Sequence, residues 1–155
     1  MNVKDMMTTQ VYSCESNTPL NTVAMTMWNN DCGSMPIVDQ EHKPIGMITD
    51  RDIAMGAALQ EKPLWELTAQ DVSNSQLLYK CDVEDDVQQA LDLMREYGVR
   101  RLPVVNSHGT LAGIVTSGDI IAQADSAEDA DFPFHRTEQM LKSITGHHAP
   151  MPLIA

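Results

Sequence analysis

The sequence predicts a mixed α/β fold in which one structural unit occurs twice. The segment Gly46-Met47-Ile48-Thr49-Asp50-Arg51-Asp52-Ile53 returns as Gly113-Ile114-Val115-Thr116-Ser117-Gly118-Asp119-Ile120, an offset of 113 − 46 = 67 residues. Strand-like and helix-like patterns alternate through both copies, and a duplication of this kind decides the architecture. Other pairs keep the same offset: Tyr12 and Tyr79, Cys14 and Cys81, Met27 and Met94, Pro36 and Pro103, and Val38 and Val105.

The elements of the first copy follow from residue spacing and from turn-forming residues. Residues 10–13 are predicted to be extended, and a helix is predicted to start at Pro19, after the polar residues Ser16-Asn17-Thr18. Strands at 35–38 and 45–49 and a helix at 50–59 follow. The apolar residues of the first helix recur three and four apart, which predicts one buried face: Leu20, Val23, Ala24, Met27 and Trp28.

The second copy repeats this order. Residues 77–80 are predicted to be extended, a helix is capped at Asp86 and ends at Gly98, and strands at 101–105 and 111–116 lead to a helix at 117–124. The apolar face of the capped helix comprises Val87, Ala90, Leu91, Met94 and Tyr97.

These patterns divide the chain into a first repeat at 1–59, a linker at 60–70, a second repeat at 71–124 and an extension at 125–155. Trp65 is expected to pack on the linker. Residues 125–131 are acidic, and we expect them to be solvated. In the extension, residues 137–144 are predicted to form a short helix that packs on the module or on a second subunit, with Met140, Leu141 and Ile144 on one face.

The charge of the chain excludes some classes of partner. The 155 residues carry a formal net charge of -12, which repels nucleic acid phosphates, so we expect no nucleic acid partner. A small anionic ligand therefore needs a local cationic site. The N-terminus has no signal-peptide character and no apolar run is long enough to span a bilayer, so we expect a cytoplasmic protein with no membrane partner.

The three cysteines indicate neither a disulfide framework nor a zinc site, because their number is odd and no C-x-x-C spacing occurs. Cys14 and Cys81 occupy equivalent positions and could approach each other, although two small buried thiols are the commoner outcome. The adjacent His147 and His148 lack further spaced ligands, so we predict no metal site.

The repeated motif brings together groups that suit a nucleotide. A threonine ends a buried strand, and an aspartate lies in the first turn of the next helix: Thr49 with Asp52, and Thr116 with Asp119. A helix N-terminus favours phosphate, and a carboxylate accepts hydrogen bonds from a ribose diol. The alternative is that the threonines are N-caps and the aspartates exposed first-turn acids. Two copies in one register favour a ligand.

These two G-h-h-T-x-x-D segments (h, apolar), with the strands Ser34-Met35-Pro36-Ile37-Val38 and Arg101-Leu102-Pro103-Val104-Val105, resemble a pair of cystathionine-β-synthase-type (CBS) repeats over about residues 3 to 124. The resemblance implies a βαββα unit per repeat, a pseudo-two-fold arrangement of the two units, and adenosine-nucleotide sites in the cleft between them. It also implies a disc-like homodimer that associates through helices.

The residue assignments follow from the motif chemistry and the resemblance. Asp52 and Asp119 are predicted to bind ribose. Thr49 and Thr116, with neighbouring backbone N–H groups, are predicted to bind phosphate, and so are Arg51, Arg100 and Arg101. Surface salt bridging to the many carboxylates is the alternative role for the arginines. The resemblance places the adenine against Val11, Tyr12, Met35 and Pro36 on one side and Leu78, Tyr79, Leu102 and Pro103 on the other.

The expected function is a stand-alone sensor that binds AMP, ADP, ATP, NAD or a related adenosine compound and signals to an unidentified downstream protein. No catalytic cofactor is expected, because the sequence lacks G-x-S-x-G, P-loop and H-E-x-x-H motifs, so we expect no enzyme. Two alternatives stay open: an assembly module with an empty cleft, and a thiol redox sensor that uses Cys14 and Cys81.

Overall fold

The computed structural model describes residues 1–73, 78–124 and 134–145. Two βαββα units account for most of these residues, which confirms the predicted mixed α/β fold. The first unit comprises β1 (Cys14–Glu15), α1 (Leu20–Asn29), β2 (Ser34–Val38), β3 (Pro44–Thr49) and α2 (Asp50–Gln60). The second unit comprises β4 (Cys81–Asp82), α4 (Val87–Tyr97), β5 (Arg101–Val105), β6 (Leu111–Thr116) and α5 (Ser117–Ala124).

Short helical pieces connect and flank the two units. A 3₁₀ turn (Val3–Asp5) precedes the first unit, and α6 (Phe134–Thr145) follows the second. A second 3₁₀ turn (Leu64–Glu66) and α3 (Ala69–Val72) lie between the units. No helix in the described ranges combines the length and the apolar character that crossing a bilayer would require.

Each unit has a three-stranded sheet in which the middle strand pairs in parallel with the first strand and antiparallel with the third. The registers are equivalent: Pro36 lies opposite Met47, and Pro103 lies opposite Ile114. The ladder is irregular at the next position in both units, between Ile37 and Val38 and between Val104 and Val105. The duplication seen in the sequence is therefore a duplication of backbone pairing.

The segment that precedes the first unit packs on the second unit. Val3 is 0% and Met6 6% exposed, and both belong to the core of the second unit. The Val3 N–H donates to the Asp85 carbonyl at 2.8 Å, and the Val87 N–H donates to the Met1 carbonyl at 3.0 Å. The start of the chain thus completes a core more than eighty residues away in sequence.

The segment that precedes the second unit packs on the first unit in the same way. Leu67 and Ala69 are buried in the first core. The Leu20 N–H donates to the Leu67 carbonyl at 2.9 Å, and the Ala69 N–H donates to the Thr18 carbonyl at 3.0 Å. Because each lead-in segment packs on the opposite unit, the exchange is reciprocal, as a two-fold relation requires.

The glycine of the second motif is required by this exchange. The Thr8 N–H donates to the Ile114 carbonyl at 2.9 Å, and the Ile114 N–H donates back to the Thr8 carbonyl at 3.0 Å. A Cβ on Gly113 would lie 2.8 Å from the Thr8 carbonyl oxygen, closer than real Cβ atoms approach. Glycine therefore allows the lead-in segment to lie against β6.

The predicted C-terminal helix forms as α6 and packs on α4 and α5 of the same chain. Met140 is 0% exposed and belongs to the second core, with Leu141 packed against that core. At the edge, Arg136 pairs with Asp92, and Arg95 donates to Gln139 at 2.8 Å. Of the two expected placements, the structure therefore has α6 on the module itself.

Three aromatic predictions were wrong. Trp28 is 81% exposed, Trp65 is 70% exposed and Tyr97 is 42% exposed. The buried face of α1 is fixed by Leu20, Val23 and Met27, and a helix turns about 100° per residue, so Trp28 points away from it. Trp65 lies on a 3₁₀ turn with no buried residue.

The cysteines occupy separate places. Cys14 is buried in the first core and Cys81 in the second, and all three cysteines are free thiols.

The predicted extended residue Leu77, the acidic stretch 125–131 and the pair His147 and His148 lie outside the described residues.

Candidate functional site

Thr49 and Asp52 form a reciprocal cap at the start of α2. The Asp52 N–H donates to Thr49 Oγ1 at 3.1 Å, and the Thr49 N–H donates to Asp52 Oδ2 at 2.9 Å. Such a capping box satisfies two N–H groups that the first helical turn leaves unpaired. The N-cap interpretation of this threonine is therefore correct.

The second motif has the same geometry at the start of α5. The Asp119 N–H donates to Thr116 Oγ1 at 3.1 Å, and the Thr116 N–H donates to Asp119 Oδ2 at 2.9 Å. The Thr116 hydroxyl also donates to Asp119 Oδ2, at 2.8 Å. Both aspartates are half-buried rather than exposed. In the described part of the chain, neither aspartate Oδ1 accepts a hydrogen bond, so a carboxylate oxygen remains for a ligand.

Two clefts lie between the units, and each combines residues of both. The first, which we call the Thr49 cleft, has a volume of about 490 Å³ and joins the end of β3 and the start of α2 to the lead-in and the α4–β5 connection of the second unit. Its lining comprises Met47, Thr49, Asp50, Arg51, Leu78, Tyr79, Gly98, Val99, Arg100 and Arg101.

The second cleft, which we call the Asp119 cleft, has a volume of about 370 Å³. It joins the end of β6 and the start of α5 to the lead-in and the α1–β2 connection of the first unit. Both volumes lie within the range of about 300–1,000 Å³ that is typical of ligand pockets. The lining comprises Thr8, Gln10, Val11, Tyr12, Asn30, Cys32, Gly33, Ser34, Arg101, Ile114, Thr116 and Asp119.

Some of the residues predicted to bind phosphate or adenine line the two clefts, and others do not. Arg51, Arg100, Leu78 and Tyr79 line the Thr49 cleft, Val11 and Tyr12 line the Asp119 cleft, and Arg101 lines both. The remaining residues predicted to contact adenine are buried and outside both linings: Met35, Pro36, Leu102 and Pro103. Asp52 is not itself in the lining of the Thr49 cleft, although its cap partner Thr49 is.

Backbone N–H groups at the start of α2 already have partners. The Asp50 N–H donates to the Gly33 carbonyl at 3.0 Å, and the Arg51 N–H donates to Asp50 Oδ1 at 2.8 Å. With the Asp52 N–H on the Thr49 hydroxyl, the first turn offers no open donor at these three residues. This geometry does not support the prediction that backbone N–H groups hold phosphate there. In this cleft, the groups left to contact a phosphate are the arginines.

Two arginines of the Thr49 cleft, Arg51 and Arg101, are not used in surface salt bridges of the kind that the acidic composition favours, over the part of the chain that the structure describes. Five of the cationic side chains pair with carboxylates: Lys4, Lys43, Arg95, Arg136 and Lys142. Over the described residues, Arg51 and Arg101 are in no ion pair. Their charge is therefore available to an anion that enters the cleft.

Comparison with known proteins decides the family. Residues 3–57 and 69–125 match the CBS domain family. The chain belongs to the CBS-domain family. The two matched ranges cover most of the two βαββα units, and each begins within the lead-in segment.

Relatives of this CBS pair come from bacteria and archaea. Hypoxic response protein 1 of Mycobacterium tuberculosis is 31% identical over 97% of this chain and 96% of that protein. The uncharacterized protein MK0525 of Methanopyrus kandleri is 38% identical over 99 residues, which are 64% of this chain but only 50% of that protein. The chain thus spans about half the length of MK0525.

Two solved structures share the fold. A crystal structure of hypoxic response protein I with two coordinated zinc ions has a TM-score of 0.71 at 31% identity, over 79% of this chain and 98% of that chain. The CBS domain pair of protein MJ0100, in complex with 5′-methylthioadenosine and S-adenosyl-L-methionine, has a TM-score of 0.72 at 26% identity, over 81% and 97%. Within the described ranges of the present CBS pair, no group of three or more His, Cys, Asp or Glu could hold a metal ion.

The thiols of the CBS repeats are poorly suited to redox sensing. Burial raises the pKa of Cys14 to about 11, and burial with the nearby Asp85 and Asp82 carboxylates raises the pKa of Cys81 to about 12. The thiolate is the reactive form, so both side chains are almost fully protonated at neutral pH. Burial also raises the pKa of Cys32, which lines the Asp119 cleft.

Several lining residues were missed from the sequence, and the repeat offset could have identified most of them. Gly98, Val99 and Arg100 follow α4 just as Asp31, Cys32 and Gly33 follow α1, at the offset of 67. The backbone is equivalent there as well, since Gly98 has φ 64 and Asp31 has φ 49. Asp31 lines neither cleft, and of the other five only Arg100 was predicted as a site residue.

Proposed function

We propose that this CBS pair is a regulatory module that binds adenosine-containing small molecules in the Thr49 and Asp119 clefts. The observation that carries the proposal is the repeated geometry, in which a half-buried aspartate with an open Oδ1 stands at a helix start beside a cleft between the units. The complex of the MJ0100 CBS pair with 5′-methylthioadenosine and S-adenosyl-L-methionine supports the same ligand class.

In this proposal, Asp52 and Asp119 accept hydrogen bonds from ribose hydroxyls, and Arg51, Arg100 and Arg101 contact phosphate. Leu78 and Tyr79 on one side, and Val11 and Tyr12 on the other, contact the base. The Tyr79 ring already stacks on Tyr97, with centroids 3.8 Å apart, which holds its orientation. A ligand would contact both CBS repeats and change their relative orientation to the extent that it binds one arrangement better.

The first experiment is to identify a co-purified ligand by native mass spectrometry and then to measure binding of adenosine and ADP by calorimetry. Removing Asp119 is expected to weaken binding in the Asp119 cleft at least about tenfold, since charge-assisted hydrogen bonds contribute about 1.5–3 kcal/mol. The same holds for Asp52→Ala and the Thr49 cleft. Each substitution also removes the carboxylate half of a capping box and is expected to lower the free energy of unfolding by about 0.3–1 kcal/mol.

The matched control is Asp71→Ala. Asp71 Oδ2 accepts from the Thr68 N–H and the Thr68 hydroxyl, both at 2.8 Å, and so caps α3 as the other aspartates cap their helices. This variant loses an equivalent cap outside both clefts, so it should bind adenosine compounds as the parent does. Equal binding by the parent, Asp52→Ala, Asp119→Ala and the double variant would reject these sites.

An assembly role is the second candidate, and the exposed apolar face of the first repeat favours it. Met25, Trp28, Met55 and Leu59 on α1 and α2 are 55%, 81%, 47% and 65% exposed. The α4 residues equivalent to Met25 and Trp28 are Asp92 and Arg95, which contact α6. We propose that a second copy of this chain covers the α1–α2 face and forms a homodimer, because large exposed apolar patches mark interaction surfaces.

Trp28→Arg installs the residue found at the equivalent position on α4. We expect it to raise the dimer dissociation constant at least tenfold, so that sedimentation velocity shows a shift from dimer to monomer. The control is Gln40→Arg, which adds the same charge in an exposed turn. A parent protein that is monomeric at tens of micromolar, or a Trp28→Arg variant that dimerises as the parent does, would contradict the proposal.

A further inference from the structure

The two clefts present equivalent positions with different charges. The positions that shape each cleft are kept at the offset of 67: Thr49 matches Thr116, Tyr79 matches Tyr12, and Met47 matches the apolar Ile114. The clefts therefore share a common framework for a nucleoside. What differs is the set of residues around that framework.

The two clefts differ most at the positions that hold arginine in the Thr49 cleft. The positions equivalent to Arg51, Arg100 and Arg101 hold Gly118, Gly33 and Ser34, none of which is charged. The position equivalent to Asp50 holds Ser117. The Thr49 cleft thus has four charged residues at these positions, two from each repeat, and the equivalent positions of the Asp119 cleft all hold small neutral residues.

The resulting balance of lining charges favours an anion in one cleft only. Three arginines and Asp50 line the Thr49 cleft, whereas Arg101 and Asp119 line the Asp119 cleft. Over the described residues, Arg51 and Arg101 are in no ion pair, so their guanidinium charges are not spent on a carboxylate of the protein. Arg101 lines both clefts, so the distinction rests on Arg51, which lines the Thr49 cleft alone.

The global charge makes this local difference decisive. At a net charge of -12, the protein repels a phosphorylated ligand wherever no cation compensates. Arginine offers planar, paired donors that match phosphate oxygens, and such contacts are among the stronger hydrogen bonds in proteins. The volumes agree with the charges, since the Thr49 cleft, at about 490 Å³, exceeds the Asp119 cleft, at about 370 Å³.

We propose that the two clefts take different ligand classes: the Thr49 cleft takes an adenosine nucleotide with two or more phosphate groups, and the Asp119 cleft takes an adenosine compound without phosphate. This inference rests on the proposed function, since it assumes that both clefts bind adenosine compounds. Its consequence is that one module reads two chemically distinct metabolite pools at once.

The test uses ADP and adenosine as probes in calorimetry on the full chain. ADP is expected to bind with a stoichiometry of one, and adenosine bound in the Asp119 cleft should not displace it. Arg51→Gln should weaken ADP binding at least about tenfold, the loss of one charge-assisted contact, while adenosine affinity in the Asp119 cleft stays within about twofold. Raising the salt concentration should weaken ADP but not adenosine.

The control for the change in net charge is Lys62→Gln, an exposed cation that lines neither cleft, and it should leave both affinities unchanged. A gain-of-function variant, Ser34→Arg, places an arginine in the Asp119 cleft at the position equivalent to Arg101. It should raise the ADP stoichiometry from one to two.

Three results would overturn the assignment of charge classes while leaving the proposed function in place. These are competition of ADP and adenosine for one cleft, an ADP stoichiometry of two in the parent, and ADP affinity that Arg51→Gln does not change. Failure of a folded protein to bind either probe would instead remove the proposed function, and with it this inference.

Discussion

Val3→Asp is expected to lower the free energy of unfolding of the second repeat's core by about 3–5 kcal/mol, although Val3 lies at the start of the first CBS repeat in sequence. Val3 is 0% exposed in the core of the second repeat. A carboxylate there has no partner, so either an isolated charge is buried or the lead-in segment leaves the core. Leaving exposes Val3 and Met6, each of which contributes about 1.5–3 kcal/mol when buried.

Denaturant unfolding measures this loss, and hydrogen exchange locates it. Because the Val87 N–H donates to the Met1 carbonyl, amides at the start of α4 should exchange faster while the core of the first repeat stays protected. The control is Lys4→Ala on the same 3₁₀ turn, which removes only a surface pair with Glu84 at 2.8 Å and should leave the free energy of unfolding nearly unchanged. Equal losses from the two variants would show that the lead-in segment is not part of the core.

Met140→Ala is expected to cost about 2–5 kcal/mol, the range for truncating a buried large apolar side chain. Met140 is 0% exposed where α6 packs on the second core, and the alanine variant would leave a cavity beneath α4 and α5. The measurement is the midpoint of urea unfolding at constant slope. Such a loss would make the C-terminal helix an integral part of the second repeat.

Glu138→Ala is the matched substitution on the exposed side of α6. Glu138 pairs with Lys142 one turn away, and both side chains are more than half exposed, so the free energy of unfolding should hardly change. If Met140→Ala were as mild as Glu138→Ala, α6 would be only loosely attached to the module.

The duplicated fold was predictable because a fixed offset aligns strands, caps and turns without any knowledge of the partner of each residue. The aromatic residues were not predictable in the same way. Trp28 follows the buried Met27 on α1, and apolar character alone does not say where the buried face ends. Met35 and Leu102 are likewise apolar residues that suit contact with a base. Their side chains instead lie on the faces of β2 and β5 that pack into the cores.

The candidate site was also predictable in part. Thr49, Asp52, Thr116 and Asp119 were found because the motif repeats, and their hydrogen bonds agree with its capping chemistry. The assignment of arginines to clefts was not predictable, since it depends on which unit faces which. Each cleft is built from the helix start of one repeat and the lead-in of the other.

The sequence alone determined that the chain contains two copies of one unit and where the helices that follow β3 and β6 start, because these features depend on periodicity and on local capping. Only the tertiary structure decided that each lead-in segment packs on the opposite repeat, and that Arg51 and Arg100 share a cleft with Tyr79 rather than with Tyr12. Those outcomes depend on contacts between residues far apart in the chain, whose pairing is set by how two whole surfaces pack and not by any local pattern.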